Sequence, residues 1–318
     1  MTRQHRSGGA SLRGSLSIVY FLCVTLLALI AFPSFRSPNT LMNILRQAVI
    51  PMISCVALNF ILTTGNIDLS CGYLVGLVSI TIGVLNRAAV PPALIIVAAL
   101  CIGAAVGLFN GGLMVLFGIP SFIATLGSGY ICYGIAQIVA QSKSVRNMQD
   151  GLLAFGKTEI FPGFQIMMVY AVLFVVLAHI LMNHTTFGRT LTGMGLNARS
   201  TMMSGQKTNQ TLLFSFAICS ILVAFSALLS TIRVNTAQAD MGGPSYTFEA
   251  VTACVLGGTS LYGGKTNILG GFFAVFVIIE LEMIITILGI NHYIYQAMLG
   301  VIILIAIVVQ TAKERRTH

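Results

Sequence analysis

An all-α, polytopic integral membrane protein of about ten transmembrane helices is the fold class this sequence predicts, on three observations. Hydrophobic residues make up 56% of the 318 residues and charged ones only 8%, against roughly a quarter in a soluble domain. Mean hydropathy is +0.92. Apolar runs of membrane-spanning length recur along the whole chain, and at about 20 residues per span they leave tails and loops too short to fold alone. A soluble enzyme is excluded. Residues 1–318 read as one transmembrane domain with an N-terminal tail 1–15, one long polar loop 183–210 and a C-terminal tail 312–318.

The spans follow from apolar runs bounded by Pro, Gly and charge. The first, 16–32, comes after Arg3, Arg6 and Arg13 like the core of a signal peptide, but it has span length and no A-x-A cleavage site. It is read as a retained helix. The second, 43–63, contains Pro51, where a broken helix would free carbonyls that need a cavity or a neighbour. The third, 68–85, opens at TTGNIDLSCG, where Asp68 suits a helix N-cap or first-turn acid. Spans 93–117 and 121–141 follow. Gly72 and Gly76, and then Gly103, Gly107 and Gly111, repeat the small-xxx-small spacing that lets backbones approach closely, either within the chain or at a dimer face.

A sixth span is expected at 166–182 and a seventh at 211–230, flanking the long loop. The eighth, 246–262, and ninth, 267–289, are punctuated by Gly257, Gly258, Gly263, Gly264, Gly270 and Gly271, a pattern that points to a broken or re-entrant helix. The tenth is 293–311.

Charge supplies orientation. There are 17 Lys and Arg against 8 acids, a formal net charge of +9, with both tails basic. An even span count puts both ends on one side, and the positive-inside rule makes that side cytoplasmic. The loop 183–210, with Arg189, Arg199 and Lys207 and no acid, then lies inside, whereas 142–165 with Asp150 and Glu159 lies outside. The basic excess needs no nucleic-acid partner.

Candidate chemistry is sparse. The segment Gly257 to Thr266, GGTSLYGGKT, imitates a phosphate-binding loop, but the position of its first required glycine is Thr259 and no strand precedes it. No His pair has zinc-site spacing and the seven cysteines form no C-x-x-C, so no metal or cofactor is expected and the cysteines read as small packing residues. An intramembrane hydrolase would have to use His179, which reads instead as an interfacial or packed histidine. Glu280 and Glu282 sit in FFAVFVIIELEMIITIL, and at i and i+2 they point to different helix faces. Either could serve a stand-alone proton-coupled carrier, the alternative to the reading below. The loop TTFGRTLTGMGLNARSTMMSGQKTNQ has room for a short helix from Ala198 to Ser204 that docks on a partner.

Four stretches together resemble the ribose-type permeases of bacterial ABC importers. The pattern G-G-I-D-L-S-x-G matches Gly65 to Gly72 with Asn66 replacing glycine, and P-x-F-I-x-T-L-G matches Pro120 to Gly127. F-G-R, G-x-N and S-G match Phe187-Gly188-Arg189, Gly195-Leu196-Asn197 and Ser204-Gly205, with Gln206 where the family usually has Ile. V-L-G-G-T-S-L-x-G-G-R-G matches from Val255 to Gly264, and Lys265 and Thr266 replace its last Arg and Gly.

The resemblance implies the ABC importer permease fold and a non-enzymatic transport subunit for a sugar or sugar-like solute in the bacterial inner membrane. It also implies its partners: cytoplasmic ATPase subunits, a second permease copy or paralogue, a periplasmic or extracellular solute-binding protein, and lipid. ATPase coupling would fall to Arg189, Gly195, Asn197, Ala198, Arg199, Ser204 and Gly205, and a translocation path to Asn59, Asp68, Phe122 and Thr125.

Overall fold

The computed structural model describes residues 8–315, so parts of both basic tails, 1–7 and 316–318, lie outside the described residues. The described chain forms α1 (Gly8–Ala31), a 3-10 turn (Pro33–Arg36), α2 (Pro38–Thr63), α3 (Cys71–Arg87), α4 (Pro92–Phe117) and α5 (Ser121–Ala140). After β1 (Val145–Arg146), α6 (Asp150–Lys157), β2 (Glu159–Phe161) and β3 (Phe164–Gln165) come α7 (Ile166–His184), α8 (Thr186–Met203) and α9 (Thr208–Val234). Then follow β4 (Thr236–Ala237), α10 (Pro244–Leu256), α11 (Ile268–Ile287) and α12 (His292–Arg315).

A helix lies at each of the ten expected spans, although α10 covers only part of the eighth, 246–262. Six, α2, α4, α5, α7, α9 and α11, are long and apolar enough to cross a membrane, and α1, α3 and α12 carry shorter apolar stretches. The ends differ from expectation for simple reasons. Hydropathy marks the apolar part of a helix, whereas the backbone hydrogen bonds of α1 and α12 continue into the flanking tails.

Helices α2 and α9 form the centre. Their apolar stretches are 78% and 72% buried, against 22% for α4 and 33% for α5 and α7, whose outward faces are apolar. Leu94, Val97, Leu116, Val172, Val176 and Leu177 stand exposed there, which suits a lipid-facing sheath. The small-residue repeats pack within the chain. A β-carbon on Gly103 or Gly107 would strike the backbone of Ser220 or Phe216 on α9, and one on Gly72 or Gly76 would strike the carbonyls of Gly243 or Ala239.

Two segments depart from plain spanning helices. Residues 257–267, expected partly as span, form a turn: Gly258, Gly263 and Gly264 have φ of +97°, +85° and +73°, which ends α10 after 13 residues. Before α10, residues 236–243 run down the side of α3. Ala237 faces Gly83 and Gly243 faces Gly72, a descent of about 16 Å at 1.5 Å per helical residue. The Gly243 amide donates to the Gly72 carbonyl (2.9 Å), and Thr247 Oγ1 accepts from the Gly72 amide (2.9 Å). The helical part of the eighth span therefore starts deep inside the bundle.

At one end, β1 pairs antiparallel with β4, Val145 opposite Ala237. At the other lies α8. The segment 183–210, expected as a loop with one short helix, is helical over most of its length. Thr185 caps α8 through a bond from the Gly188 amide (3.3 Å), and Asn197, at φ −162° and ψ 101°, breaks the helix in two.

Candidate functional site

Three of the four sequence stretches that carry the resemblance meet at the α8 end. The Gly264 amide donates to the Thr63 carbonyl, which closes α2, at 2.9 Å. Gly195, on the first half of α8, lies against both groups, and any β-carbon there would overlap Gly264 N and Thr63 O. Gly263 in turn packs on Gly65 and Gly195. Only glycine backbones allow three segments to approach so closely.

Behind this junction Asn59 holds the turn. Its Nδ2 donates to the Cys55 carbonyl (2.8 Å), and its Oδ1 accepts from Thr259 Oγ1 (2.5 Å) and Thr266 Oγ1 (3.4 Å). Asn267 caps α11, accepting from the Gly270 amide (2.9 Å) and donating to the Gly257 carbonyl (2.8 Å). The residues that depart from the family pattern are absorbed into the same bonding. Asn66 donates to Thr64 Oγ1 (2.8 Å), Gln206 Oε1 accepts from Thr190 Oγ1 (3.0 Å), and Thr266 reaches Asn59.

Beyond Asn197 the second half of α8 stands clear of the bundle. Asn197 Oδ1 accepts from the Ser200 amide (2.9 Å) and so caps a short helix, Ala198 to Met203, where a helix over Ala198 to Ser204 is expected from sequence. Ser204 closes it, and Gly205 at φ +78° carries the reversal, its amide donating to the Met202 carbonyl (3.0 Å). Arg189, Ala198, Arg199, Ser204 and Gly205 are exposed, as are Leu196, Met202 and Met203 at 69%, 56% and 79%. An apolar knob flanked by Arg199 and Lys207 is thus presented away from the bundle.

The residues expected along a path fall in two places. Asp68 and Thr125 come together: the Leu69 amide donates to Thr125 Oγ1 (3.1 Å), and Asp68 Oδ1 accepts from Ser70 N (2.9 Å) and Ser70 Oγ (2.6 Å). Asn110 Nδ2 donates to Ser70 Oγ (2.9 Å). Asp68 is thus not the N-cap of α3, a position that Ser70 holds; it orients Ser70, while Ser70 and the Leu69 amide tie the segment before α3 to α4 and α5. Asn59, Asp68 and Thr125 are each 0% exposed in the single chain, closed in by the bonds they make, and Phe122 alone of the four reaches the surface, at 54%.

Several polar groupings had no sequence signal. Asp68, Cys71 and Cys219 bring a carboxylate oxygen and two sulfurs within 4.8 Å of one another. A cavity of about 180 Å³ at the opposite end from α8 is lined by Gln47, Pro51, Tyr246, Arg233, Glu249 and Glu282. Pro51 does not break α2; it removes the donor for the Gln47 carbonyl, and both residues line that cavity. Tyr246 OH lies 2.6 Å from both Ser54 Oγ and Ser226 Oγ beside it. Glu280 and Glu282 do face apart: Glu280 accepts from Thr25 Oγ1 of α1 (2.8 Å), and Glu282 faces the cavity. His179 lies 3.1 Å from the Asn183 side-chain amide, one turn further along α7.

A bundle with an apolar outer sheath, an interrupted span, a polar cavity and a kinked helix presented at one end is the architecture of a multi-pass membrane protein. The chain belongs to the family described as branched-chain amino acid transport system / permease component, whose profile matches residues 40–307. It is 29% identical over 318 residues to the galactose/methyl galactoside import permease protein of Escherichia coli, covering 94% of each chain. To the ribose import permease protein of Bacillus subtilis it is 30% identical over 284 residues, covering 89% of this chain and 88% of that one. An autoinducer 2 import system permease protein of Yersinia enterocolitica is 30% identical over 262 residues, covering 80% and 78%. No solved structure matches the chain significantly.

Proposed function

We propose that this chain is the membrane-spanning subunit of an ATP-driven ABC importer for a sugar or sugar-like solute. The observation that carries this reading is the clamp on α8. Its first half is locked by Gly195 to the ends of α2 and the 257–267 turn, and its second half is an exposed helix with an apolar tip. Such a helix seats in a groove of a cytoplasmic ATPase. Because Gly195 touches backbone on both sides, a displacement of the docked tip is carried to α2 and α11 without an intervening flexible side chain. ATP closing the ATPase subunits then rocks two permeases around a central path. The chain itself does no covalent chemistry.

On this reading the α8 end is cytoplasmic, as are both termini, and the β1–β4 end faces the solute-binding protein. The membrane is the bacterial inner membrane, and all ten spans lie in one permease domain. Arg189 and Arg199 complement acidic groove residues of the ATPase. Phe122 lies at the path, while Asn59, Asp68 and Thr125 hold the segments that border it. The relatives named as sugar import permeases support a transport subunit over a self-sufficient proton carrier built on Glu280 or Glu282.

The test is purification of the C-terminally tagged chain from native membranes in mild detergent, with mass spectrometry of what accompanies it. An ATPase recovered at about one copy per permease is the expected result; repeated recovery of the chain alone, together with proton-driven uptake by that chain in proteoliposomes, would overturn the reading.

A further inference from the structure

Two pairs of buried cysteine sulfurs lie close together, and they differ in what surrounds them. Cys55 and Cys254, 3.5 Å apart, are closed off by their own bonding: Cys254 Sγ donates to the Cys55 carbonyl (3.2 Å) and accepts from Asn59 Nδ2 (3.4 Å). Cys71 and Cys219, 3.9 Å apart, have a carboxylate beside them, with an oxygen of Asp68 and both sulfurs within 4.8 Å of one another. All three of these residues are buried.

The carboxylate is fixed on one side and open on the other. Both bonds from Ser70, from its amide and its hydroxyl, fall on Oδ1, and the buried Oδ2 has no hydrogen-bond partner. An oxygen left so costs about 1–3 kcal/mol unless something else engages it. Asn110, which holds Ser70 through Nδ2, likewise buries its Oδ1 without a partner. A ligating carboxylate held in place by outer hydrogen bonds is the usual arrangement at a metal ion. The sulfur spacing agrees, because two thiolates on a tetrahedral zinc at about 2.3 Å each lie about 3.8 Å apart.

We propose that Asp68, Cys71 and Cys219 bind a thiophilic divalent cation of the zinc type, supplying three of its ligands. Binding exchanges one Zn²⁺ for the two thiol protons, which leave to solvent as two Zn–S bonds and one Zn–O bond form. The net charge of the site, one negative charge from Asp68, is the same before and after, so the ion adds none to the interior. Cys71 is the first residue of α3, where the helix N-terminus favours a thiolate. Ca²⁺ and Mg²⁺ do not suit the site, since they take about six or more oxygen ligands.

The ligands meet only on folding. Cys71 and Cys219 are 148 residues apart, on the first turn of α3 and the middle of α9, so a bound ion pins the start of α3 to the central helix. In the sequence pattern that spans Gly65 to Gly72, Cys71 fills the open position, which makes the site a feature of this chain rather than of the pattern.

The test is metal analysis of the full chain purified in detergent without chelator, where about one zinc per chain is expected. Chelator-stripped protein titrated with Co²⁺ should show a thiolate-to-cobalt charge-transfer band in the near ultraviolet. Zinc content and band should both fall about tenfold or more in Cys71→Ser and in Cys219→Ser, and stay unchanged in Cys55→Ser. Because zinc content and the cobalt band are read on the wild-type chain, a variant that fails to fold does not leave the question open. Wild-type protein with neither zinc nor a cobalt band overturns the proposal. So does loss of the metal in Cys55→Ser alone, which moves the ion to the other sulfur pair, or a Cys71–Cys219 disulfide in a non-reducing peptide map, which leaves no thiolates to bind. None of these readouts depends on transport, so the importer reading is unaffected by either result.

Discussion

Gly195 abuts the backbone amide of Gly264 so closely that a β-carbon on Gly195 would overlap it, and that amide is the one that donates to the Thr63 carbonyl. One position on α8 is thereby tied to the end of α2 and to the turn that starts α11. A contact made of three backbones has no rotamer to absorb displacement, so it transmits rather than cushions motion.

Gly195→Val should therefore abolish ATP-driven uptake, because the side chain forces α8 away from the turn. Gly205→Ala is the contrasting change: nothing lies within 4 Å of its β-carbon position, and the cost is only that of a left-handed φ of +78°, roughly 1–2 kcal/mol. Uptake and membrane abundance measured side by side check this. Abundant Gly195→Val protein with normal uptake would remove the clamp from the mechanism.

The exposed tip makes a separate prediction. Met202→Glu with Met203→Glu should leave the chain in the membrane, since both side chains project away from the bundle at 56% and 79% exposure. Co-purification of the ATPase should fall at least tenfold. Retained ATPase binding would mean that the apolar tip is not the docking element.

Asn59 organises a buried network, so Asn59→Ala should destabilise the chain. It takes away the acceptor of the Thr259 hydroxyl proton, although the oxygen still accepts from the Asn267 amide (3.1 Å), and an unsatisfied buried donor costs about 1–3 kcal/mol. A lowered midpoint in a detergent thermal-aggregation assay is expected, whereas Asn66→Gly, which restores the family's residue and removes only a local bond, should shift it little.

Arg233 shares a cavity with Glu249 and Glu282. Arg233→Gln should lower thermal stability by removing the guanidinium that sits beside these two carboxylates, and adding Glu249→Gln should restore part of the loss. The same assay on the two single variants and the double one reads the coupling; strict additivity would mean the groups do not interact.

Gly107 provides a control for lipid-embedded packing. Its Cα faces the Phe216 carbonyl on α9, so Gly107→Leu should prevent the α4–α9 approach and reduce the yield of folded protein. Gly127→Leu, on a face with nothing within 4 Å, should leave the yield unchanged. Size-exclusion profiles of the two variants make the comparison.

The sequence by itself determined the class, the ten apolar segments, the short helix after Asn197 and the opposite facing of Glu280 and Glu282. These depend on hydropathy and on local periodicity, which a linear chain displays. Only the tertiary structure decided that Gly65, Gly195 and Gly264 form one junction and that Asn59, Asp68 and Thr125 are closed inside the fold. The interruption before α10 likewise needed it. Each of these pairs residues far apart in sequence through close backbone approach or a shared cavity. Apolarity tells a segment to enter the membrane but says nothing of which neighbour it meets there, because lipid and protein interior are equally apolar; that choice rests on shape and hydrogen bonds.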